Sequence, residues 1–160
     1  MGVIRFGINR RLVFMTESEA ADFVAKLGVV WSSGDSDAFL DVWHPDGVLE
    51  HPMLDEHLRG IDVPSLHRAQ LASAPDLKFK VLGWTWREDI VVVEWSARRS
   101  SNGREFSWQG VDKMTLRDGK ILKEVVYSDT APLRALRQAK VVEPMMKADE
   151  IRASRNKASR

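Results

Sequence analysis

The sequence places a histidine at the end of a predicted strand, where its ring could be aimed into a pocket. Residues 47–51 have the pattern of a short strand that ends in His51, and Pro52 fixes the turn that follows. An imidazole titrates near neutral pH, which suits a general base that removes a proton from a bound compound. The alternative is a histidine in a surface turn that has no chemical role.

A second candidate is an aspartate on the apolar face of a long strand predicted over residues 103–119. One face of this strand consists of Phe106, Trp108, Gly110, Asp112, Met114 and Leu116. Burial raises the pKa of a carboxyl group, and a neutral acid in an apolar pocket can donate a strong hydrogen bond to a developing oxyanion. Alternatively, Asp112 is a structural residue held by backbone amides or by an arginine.

The last predicted strand, residues 120–129, ends in a third candidate, Asp129. It follows Val125 and Tyr127 at alternate positions. Functional side chains are often found where strands end in loops, so Asp129 could give or take a proton. The simpler alternative is that Asp129 caps a helix that begins near Pro132.

Six tryptophans are a high number for this chain, and some of them must belong to the core. Trp84 and Trp86 share one strand face, and Trp108 shares a face with Asp112. A curved sheet that carries such side chains can form a cavity for a flat, apolar small molecule. We therefore expect ligand contacts from Trp31, Trp84, Trp86, Trp95, Trp108 and Tyr127.

Helices come first in the chain and strands follow, and together they must position these candidates. A T-x-x-E capping box at Thr16 begins the first helix and Gly34 ends it. Shorter helices are predicted over residues 36–43 and 63–72, and from Leu77 the hydrophobic period changes to two. The fold class is therefore α+β, with an antiparallel meander joined in part by Asn-Gly and Asp-Gly turns. Its strands cover residues 77–89, 90–100, 103–119 and 120–129.

The chain divides into one domain, residues 16–140, an N-terminal extension, residues 1–15, and a basic tail, residues 141–160. Beyond Pro144 the tail is polar and is expected to be mobile. Residues 1–15 and 140–160 each carry a charge of +3, so the net charge of +1 leaves −5 on the residues between them. Basic ends on an acidic body are typical of solubilising tails, and we expect no nucleic-acid partner.

Composition and missing motifs exclude several other classes. The chain has no cysteine, which excludes disulfides and thiolate metal sites and fits a reducing cytoplasm. No apolar run approaches the ~18 residues of a membrane span, so no membrane association is expected. The phosphate loop, G-x-G-x-x-G, G-x-S-x-G and H-E-x-x-H are all absent, so we expect no cofactor. A metal is disfavoured because no known ligand spacing matches the candidates His44, His51, Asp55 and His57.

Several segments resemble the nuclear-transport-factor-2-like superfold, and within it the SnoaL-like polyketide cyclases and the steroid delta-isomerases. The resemblance runs from about Thr16 to Leu136 and rests on "SSGDSDAFLDVWHPDGVLEHP", "HLRGID", "GREFSWQGVDKMTLRDGKI" and "VVYSD". It implies a cone in which a curved, mostly antiparallel sheet wraps N-terminal helices around a deep apolar pocket. Members of the superfold are often dimers through the outer face of the sheet.

The resemblance also implies roles for individual residues. Where delta-isomerases have an aspartate base, this chain has His51, and their oxyanion-hole aspartate falls on Asp112. Their oxyanion tyrosine falls on Leu27, which disfavours true steroid isomerisation. SnoaL-like cyclases have an acid/base aspartate at the end of the last strand, which is Asp129 here. Limonene epoxide hydrolases match only at Asp129, so epoxide hydrolysis is disfavoured.

Together these observations predict cofactor-independent acid/base chemistry on a small apolar carbonyl compound, by isomerisation, aldol cyclisation or dehydration. His51 would remove a proton alpha to the carbonyl, protonated Asp112 would stabilise the enolate, and Asp129 would return the proton. The alternative is a ligand-binding or dimerisation module of the same fold that performs no chemistry.

Overall fold

The computed structural model describes residues 14–101, 104–136 and 147–158. Within them the chain forms α-helices and strands in the order expected for an α+β domain, together with two 3₁₀ helices, Ser36–Asp41 and Gly60–Asp62. The α-helices are α1 (Glu17–Ser33), α2 (Val63–Ser73), α3 (Ala131–Leu136) and α4 (Ala148–Ala158).

Helix α1 begins and ends where its capping residues require. The Thr16 hydroxyl oxygen accepts the backbone N–H of Glu19, and the Glu19 carboxylate accepts the backbone N–H of Thr16 at 2.7 Å. Gly34 ends the helix with φ of 71°, a left-handed conformation that glycine adopts without strain. Both predicted ends of α1 are therefore confirmed.

The strands form one curved, unclosed six-stranded sheet in the order β2-β1-β6-β5-β4-β3. Neighbouring strands are antiparallel except β1 and β6, which run parallel. The strands are β1 (Trp43–Glu50), β2 (Leu58–Arg59), β3 (Lys78–Arg87), β4 (Ile90–Ser101), β5 (Arg104–Arg117) and β6 (Lys120–Ser128). The predicted α+β class and the four long strands are confirmed.

The concave face of the sheet carries the core, which the helices close from the other side. Val91, Val93 and Trp95 of β4 and Met114 of β5 are almost fully buried on this face. Phe23, Leu27 and Val30 of α1 belong to the same apolar cluster. The alternation in β4 and β5 therefore directs the apolar side chains inward, as the period of two in the sequence predicts.

Two local features differ from the sequence-based expectation. The segment "HPDG", residues 44–47, begins before the strand predicted over residues 47–51, but in the structure it lies within β1, where a bulge shifts the pairing with β6 between Trp43 and Val48. A proline inside this strand is tolerated because the irregular stretch needs no ladder hydrogen bond from it. The C-terminal segment was expected to be a mobile tail, but residues 148–158 form α4 and pack on the domain.

Some expectations lie outside the described residues. They are the N-terminal extension before residue 14, the Asn102-Gly103 turn and the stretch between α3 and residue 147. The Asp118-Gly119 turn is described, and both residues have positive φ, 52° and 72°, as a tight hairpin turn of this composition requires. Across the described ranges, no helix is long and apolar enough to cross a membrane.

Candidate functional site

A cavity of about 400 Å³ lies between the concave face of the sheet and the helices α1, α2 and α4. Its wall is largely apolar and aromatic, and a few polar side chains interrupt it. This combination is typical of small-molecule sites. The polar and charged lining residues are His51, His67, Gln70, Ser73, Arg99, Asp112, Glu124, Ser128, Glu150 and Ser154.

Two carboxyl groups, Asp112 of β5 and Glu124 of β6, lie side by side in this wall. Asp112 pairs with Val126 and Met114 pairs with Glu124, so the two acids are diagonal neighbours on the concave face. Asp112 is 3% exposed and Glu124 is 8% exposed. Two acids this close and this dry cannot both ionise readily, because each charge opposes the other.

The pKa values of the two acids are displaced in the same direction. Burial raises the pKa of Asp112 to about 6, although the indole N–H of Trp95 and the carboxyl group of Glu124 both oppose the increase. Burial, then the charge of Asp112 and the hydrogen bond to it, raise the pKa of Glu124 well above its usual range. Near neutral pH the two raised pKa values favour one proton shared between the two carboxyl groups.

The carboxylate of Asp112 retains an unused hydrogen-bonding site. Its Oδ1 atom and the Nε1 atom of Trp95 are buried, and neither has a well-formed hydrogen bond within the described residues. Asp112 also forms no salt bridge with any lysine or arginine among the residues that the structure describes. A buried polar atom without a partner is costly, and a bound ligand could supply the missing partner.

His51 follows β1 directly and lines the cavity. Its Nδ1 atom accepts the backbone N–H of Met53 at 3.0 Å. Burial lowers the pKa of His51 to about 4, so the ring is neutral at neutral pH. With Nδ1 acting as an acceptor, the single ring proton resides on Nε2. The neutral ring of His51 therefore has a hydrogen-bond donor at Nε2, whereas Nδ1 is already engaged by the Met53 N–H.

The strand register brings His51 and Asp112 to the same level of the sheet. Glu50 pairs with Val125, so the next residue, His51, lies level with Val126, and Val126 in turn pairs with Asp112. Two strand spacings separate their backbones, which is about 10 Å. A small ligand lying across Val126 could contact both side chains at once.

An aromatic wall extends from this polar end of the cavity. The Trp95 and Phe79 rings meet edge to face at 5.7 Å, and Phe79 lies 5.6 Å from Trp31. Gly110 lets the Trp95 indole lie flat against β5, because a Cβ atom at this position would be 2.3 Å from Cζ2 of the indole. Of the tryptophans expected to contact a ligand, the structure brings Trp31, Trp95 and Trp108 together here.

The structure places four other expected site residues outside the cavity lining. Trp84 and Trp86 contact each other, with ring centroids 6.1 Å apart, near the edge of the sheet. Tyr127 is 59% exposed on the convex face. Asp129 is also exposed, and its Oδ1 atom accepts the backbone N–H of Ala131 at the start of α3. Asp129 thus precedes the N-cap residue Thr130, and its side chain binds the first backbone N–H of α3, which is close to the capping role offered as its alternative.

The sequence interpretation missed Glu124 because a bulge changes the alternation of β6. Thr115 pairs with Lys123 and Leu116 pairs with Ile121, so one residue of β6 is inserted. Ile121 and Glu124 therefore face the same side although three positions separate them. Strict alternation in the sequence places Glu124 opposite the more apolar set of Ile121, Val125 and Tyr127, and it therefore indicates the wrong face for Glu124.

Trp43 and His67 also line the cavity and were not predicted to do so. His67 Nδ1 is 2.9 Å from the Ser36 hydroxyl, and its ring lies 4.7 Å from Phe39. Burial, followed by the charge of Arg68, lowers the pKa of His67. Helical spacing could have found His67, because it follows the buried Val63 by four positions in α2.

The polar residues around β1 do not assemble into a metal site. His44 Nδ1 accepts the backbone N–H of Asp46, and Asp55 binds Lys147 and the backbone N–H of Ala148. Among the described residues, no group of three or more histidine and acidic side chains could hold a metal ion.

Comparison with known proteins places this fold in a recognised group. A sequence model described as the SnoaL-like domain matches residues 22–124. No curated protein sequence matches the chain significantly.

Solved structures with low sequence identity share the fold across nearly their whole length. AclR from Streptomyces galilaeus, a proposed hydroxylase, is 20% identical with a TM-score of 0.65, and the match covers 78% of this chain and 99% of AclR. IdmH from Streptomyces antibioticus, a proposed polyketide cyclase, is 21% identical with a TM-score of 0.63 and coverages of 75% and 99%. An NTF2-like protein of unknown function from Burkholderia pseudomallei is 18% identical with a TM-score of 0.67 and coverages of 78% and 100%. The predicted nuclear-transport-factor-2-like fold is confirmed, and the chain belongs to the SnoaL-like domain family.

Proposed function

We propose that this protein is a cofactor-independent enzyme that moves a proton next to the carbonyl group of a small apolar compound. The reaction is of the isomerase, cyclase or dehydratase type. Membership of the SnoaL-like family supports cyclase- or isomerase-type chemistry. The observation that carries the proposal is a pair of buried acids, Asp112 and Glu124, side by side in the wall of an open apolar cavity; the raised pKa values of both acids support it.

In the proposed mechanism Asp112 is the base. A base works best when its pKa lies near the working pH, and burial raises the pKa of Asp112 to about 6. The carboxylate takes a proton from the carbon next to the carbonyl, and the electron pair moves onto the carbonyl oxygen. The protonated Asp112 then returns the proton to the same or to another carbon, which gives exchange or isomerisation. Glu124 keeps its own proton throughout.

His51 stabilises the enolate oxygen in this mechanism. The Nε2 proton of the neutral ring is available because Nδ1 already accepts the Met53 N–H. A donor aimed at the position where negative charge develops stabilises the transition state more than the ground state. The buried Nε1 proton of Trp95 is a second donor without a well-formed bond among the described residues. These roles reverse the assignment expected from the sequence, in which His51 was the base and Asp112 the acid.

The test is hydrogen–deuterium exchange at the alpha carbon of 2-tetralone, an apolar aryl ketone, followed by NMR in D₂O. His51→Leu should slow the exchange by about 10²–10³-fold, because it removes the oxyanion donor. His51→Gln should retain most of the rate, because the glutamine amide can donate from a similar position.

Two results would contradict the proposal. If His51→Gln is as inactive as His51→Leu, the imidazole itself carries the proton, and the roles derived above fail. If the ketone binds but exchanges no faster than in buffer, the cavity is a binding site without chemistry, which is the module alternative.

We further propose that the protein is a homodimer joined through the convex face of the sheet. Tyr127 is 59% exposed there, and the pairing brings Val92, Val111 and Val125 onto the same face. Sedimentation analysis should give about twice the monomer mass, and Tyr127→Lys should weaken association by burying a charge at the contact. A monomeric unchanged protein at micromolar concentration would contradict this proposal.

A further inference from the structure

Helix α4, which comes from the segment expected to be a tail, forms part of the cavity wall. Ala148 is 1% exposed and Ile151 is 4% exposed, so the apolar side of this helix is buried as deeply as the domain core. The helix packs against α2 and the 3₁₀ helix Gly60–Asp62. Ile151 lines the cavity together with Glu150 and Ser154 of the same helix.

Charged contacts hold α4 against the acidic body of the domain. Arg155 Nη1 lies 2.9 Å from Asp62 Oδ1, and the side chain of Asp62 is only 2% exposed. A buried carboxylate is costly without a cation, so the position of Arg155 is strongly favoured. At the start of α4, Asp55 Oδ1 accepts the backbone N–H of Ala148 at 3.0 Å. The helix is therefore fixed at both ends over the cavity.

A third anchor lies between these two ends. Arg152 contacts the Glu56 carboxylate at 3.3 Å and donates to the backbone carbonyl oxygen of His57 at 3.1 Å. Both contacts reach the segment between β1 and β2. The basic residues of α4 thus meet acidic residues of the domain, which explains why a charged C-terminal segment folds back instead of extending into solvent.

Helix α4 also lies outside the part of the chain that the family model matches. The SnoaL-like match ends at residue 124, whereas Asp112, Glu124 and most of the sheet lie within it. An element added to a shared scaffold can change which ligand fits without changing the reacting groups. The acid pair therefore belongs to the matched part of the chain and α4 does not, so α4 can affect ligand choice without changing the reacting groups.

We propose that α4 selects the ligand, with Ile151 limiting how far an apolar compound can extend from Asp112 and the Arg155–Asp62 ion pair holding that limit in place. The inference rests on the proposed ligand-binding role of the cavity but not on its chemistry. The ligands it favours are compact, flat ketones, whereas ketones with long acyl chains are excluded by Ile151.

Two fluorescent naphthyl ketones test this limit: prodan, with a propionyl group, and laurdan, with the same ring system and a lauroyl chain. Both emit at shorter wavelength in apolar surroundings, so titration gives their dissociation constants. The unchanged protein should prefer prodan. Ile151→Ala should reduce the preference by about tenfold, because several carbons of the acyl chain gain a buried site. Ile151→Trp should weaken the binding of both ketones.

Arg155→Met tests the anchor, and Asn156→Ala, at an exposed position of the same helix, is the matched control. Arg155→Met should increase the dissociation rate of prodan by about tenfold in stopped-flow measurements, because the buried Asp62 loses a cation that holds the helix. Asn156→Ala should leave the rate unchanged. Circular dichroism establishes that each variant is folded.

An independent readout needs no ligand at all. In a Trp84→Phe background, Ile151→Ala and Arg155→Met should make the tryptophans of the cavity more accessible to quenching by acrylamide. The proposal is overturned if the folded Ile151 variants keep the prodan preference, or if quenching does not change. If the unchanged protein binds neither ketone, the ligand-binding function itself fails, which is a different result from an unchanged preference.

Discussion

Replacing Asp112 by asparagine should slow the opening of 5-nitrobenzisoxazole by about 10²–10⁴-fold, the usual contribution of a positioned general base. This flat, apolar compound opens when a base removes its one acidic proton, so its rate measures the base without the natural substrate. Asparagine keeps the shape of the side chain but cannot accept the proton. The coloured phenolate product is followed by its absorbance.

The pH profile of the same reaction identifies the group. Because burial raises the pKa of Asp112 to about 6, the base is lost below that pH. The rate of the unchanged protein should rise with pH up to about 6 and level off above it. A free aspartate, titrating near 3.8, would give a rate that is already level at pH 5.

Glu124→Gln is the matched control for Asp112→Asn. The glutamine amide can still donate a hydrogen bond to Asp112, so most of the rate should remain. If Glu124→Gln abolishes the reaction and Asp112→Asn does not, Glu124 is the base and Asp112 holds the proton, which contradicts the proposed roles. If neither variant changes the rate, the acid pair is not the base.

The Asp112→Asn substitution should also stabilise the protein at alkaline pH. The unfolded chain loses the Asp112 proton near pH 3.8, whereas the folded chain keeps it to about pH 6. Between these values the folded state binds more protons, so this group lowers the free energy of unfolding as pH rises. At pH 8 Asp112→Asn should therefore be more stable than the unchanged protein by roughly 3 kcal/mol, whereas at pH 4 the two should be similar. Urea unfolding at both pH values measures the difference.

The pKa shift of His51 changes the pH dependence of the free energy of unfolding in the opposite direction from that of Asp112. The effect of Asp112 must therefore be measured as a difference between the Asp112→Asn variant and the unchanged protein. Burial lowers the pKa of His51 from 6.5 to about 4, so its contribution is present above pH 6.5 and is lost as pH falls towards 4. The lowered pKa of His67 acts in the same direction, and the raised pKa of Glu124 acts with Asp112. The pH dependence of the unchanged protein is therefore a sum of opposing contributions, and only the difference between Asp112→Asn and the unchanged protein isolates Asp112.

Asp22→Asn, at an exposed position of α1, is the control for this stability prediction. It should have the same free energy of unfolding as the unchanged protein at pH 4 and at pH 8. Equal stability of Asp112→Asn and the unchanged protein at pH 8 would mean that Asp112 bears no ionised charge in a dry site. Asp112→Asn is expected to gain stability at pH 8 and to lose reaction rate. Both results together would show that the Asp112 carboxylate serves the reaction although it destabilises the fold.

The sequence by itself determined both ends of α1, the four long strands and the buried face of β5. The capping box at Thr16 and Gly34 define α1 locally, because each capping contact joins residues close in the chain. The uninterrupted alternation of β5 shows that Asp112 shares a face with Trp108 and Met114, because a regular strand has a strict period of two. The family resemblance was also visible, because its segments keep their order in the chain.

Only the tertiary structure decided which groups meet and what each can do. Glu124 faces Asp112 because of a bulge between neighbouring strands, and a bulge depends on pairing that the sequence of β6 does not contain. The proton of His51 resides on Nε2 because the ring folds back onto the Met53 N–H. Helix α4 covers the cavity because its basic side chains meet carboxylates about a hundred residues earlier in the chain. Contacts between distant residues depend on the packing of the whole domain, and no local pattern records them.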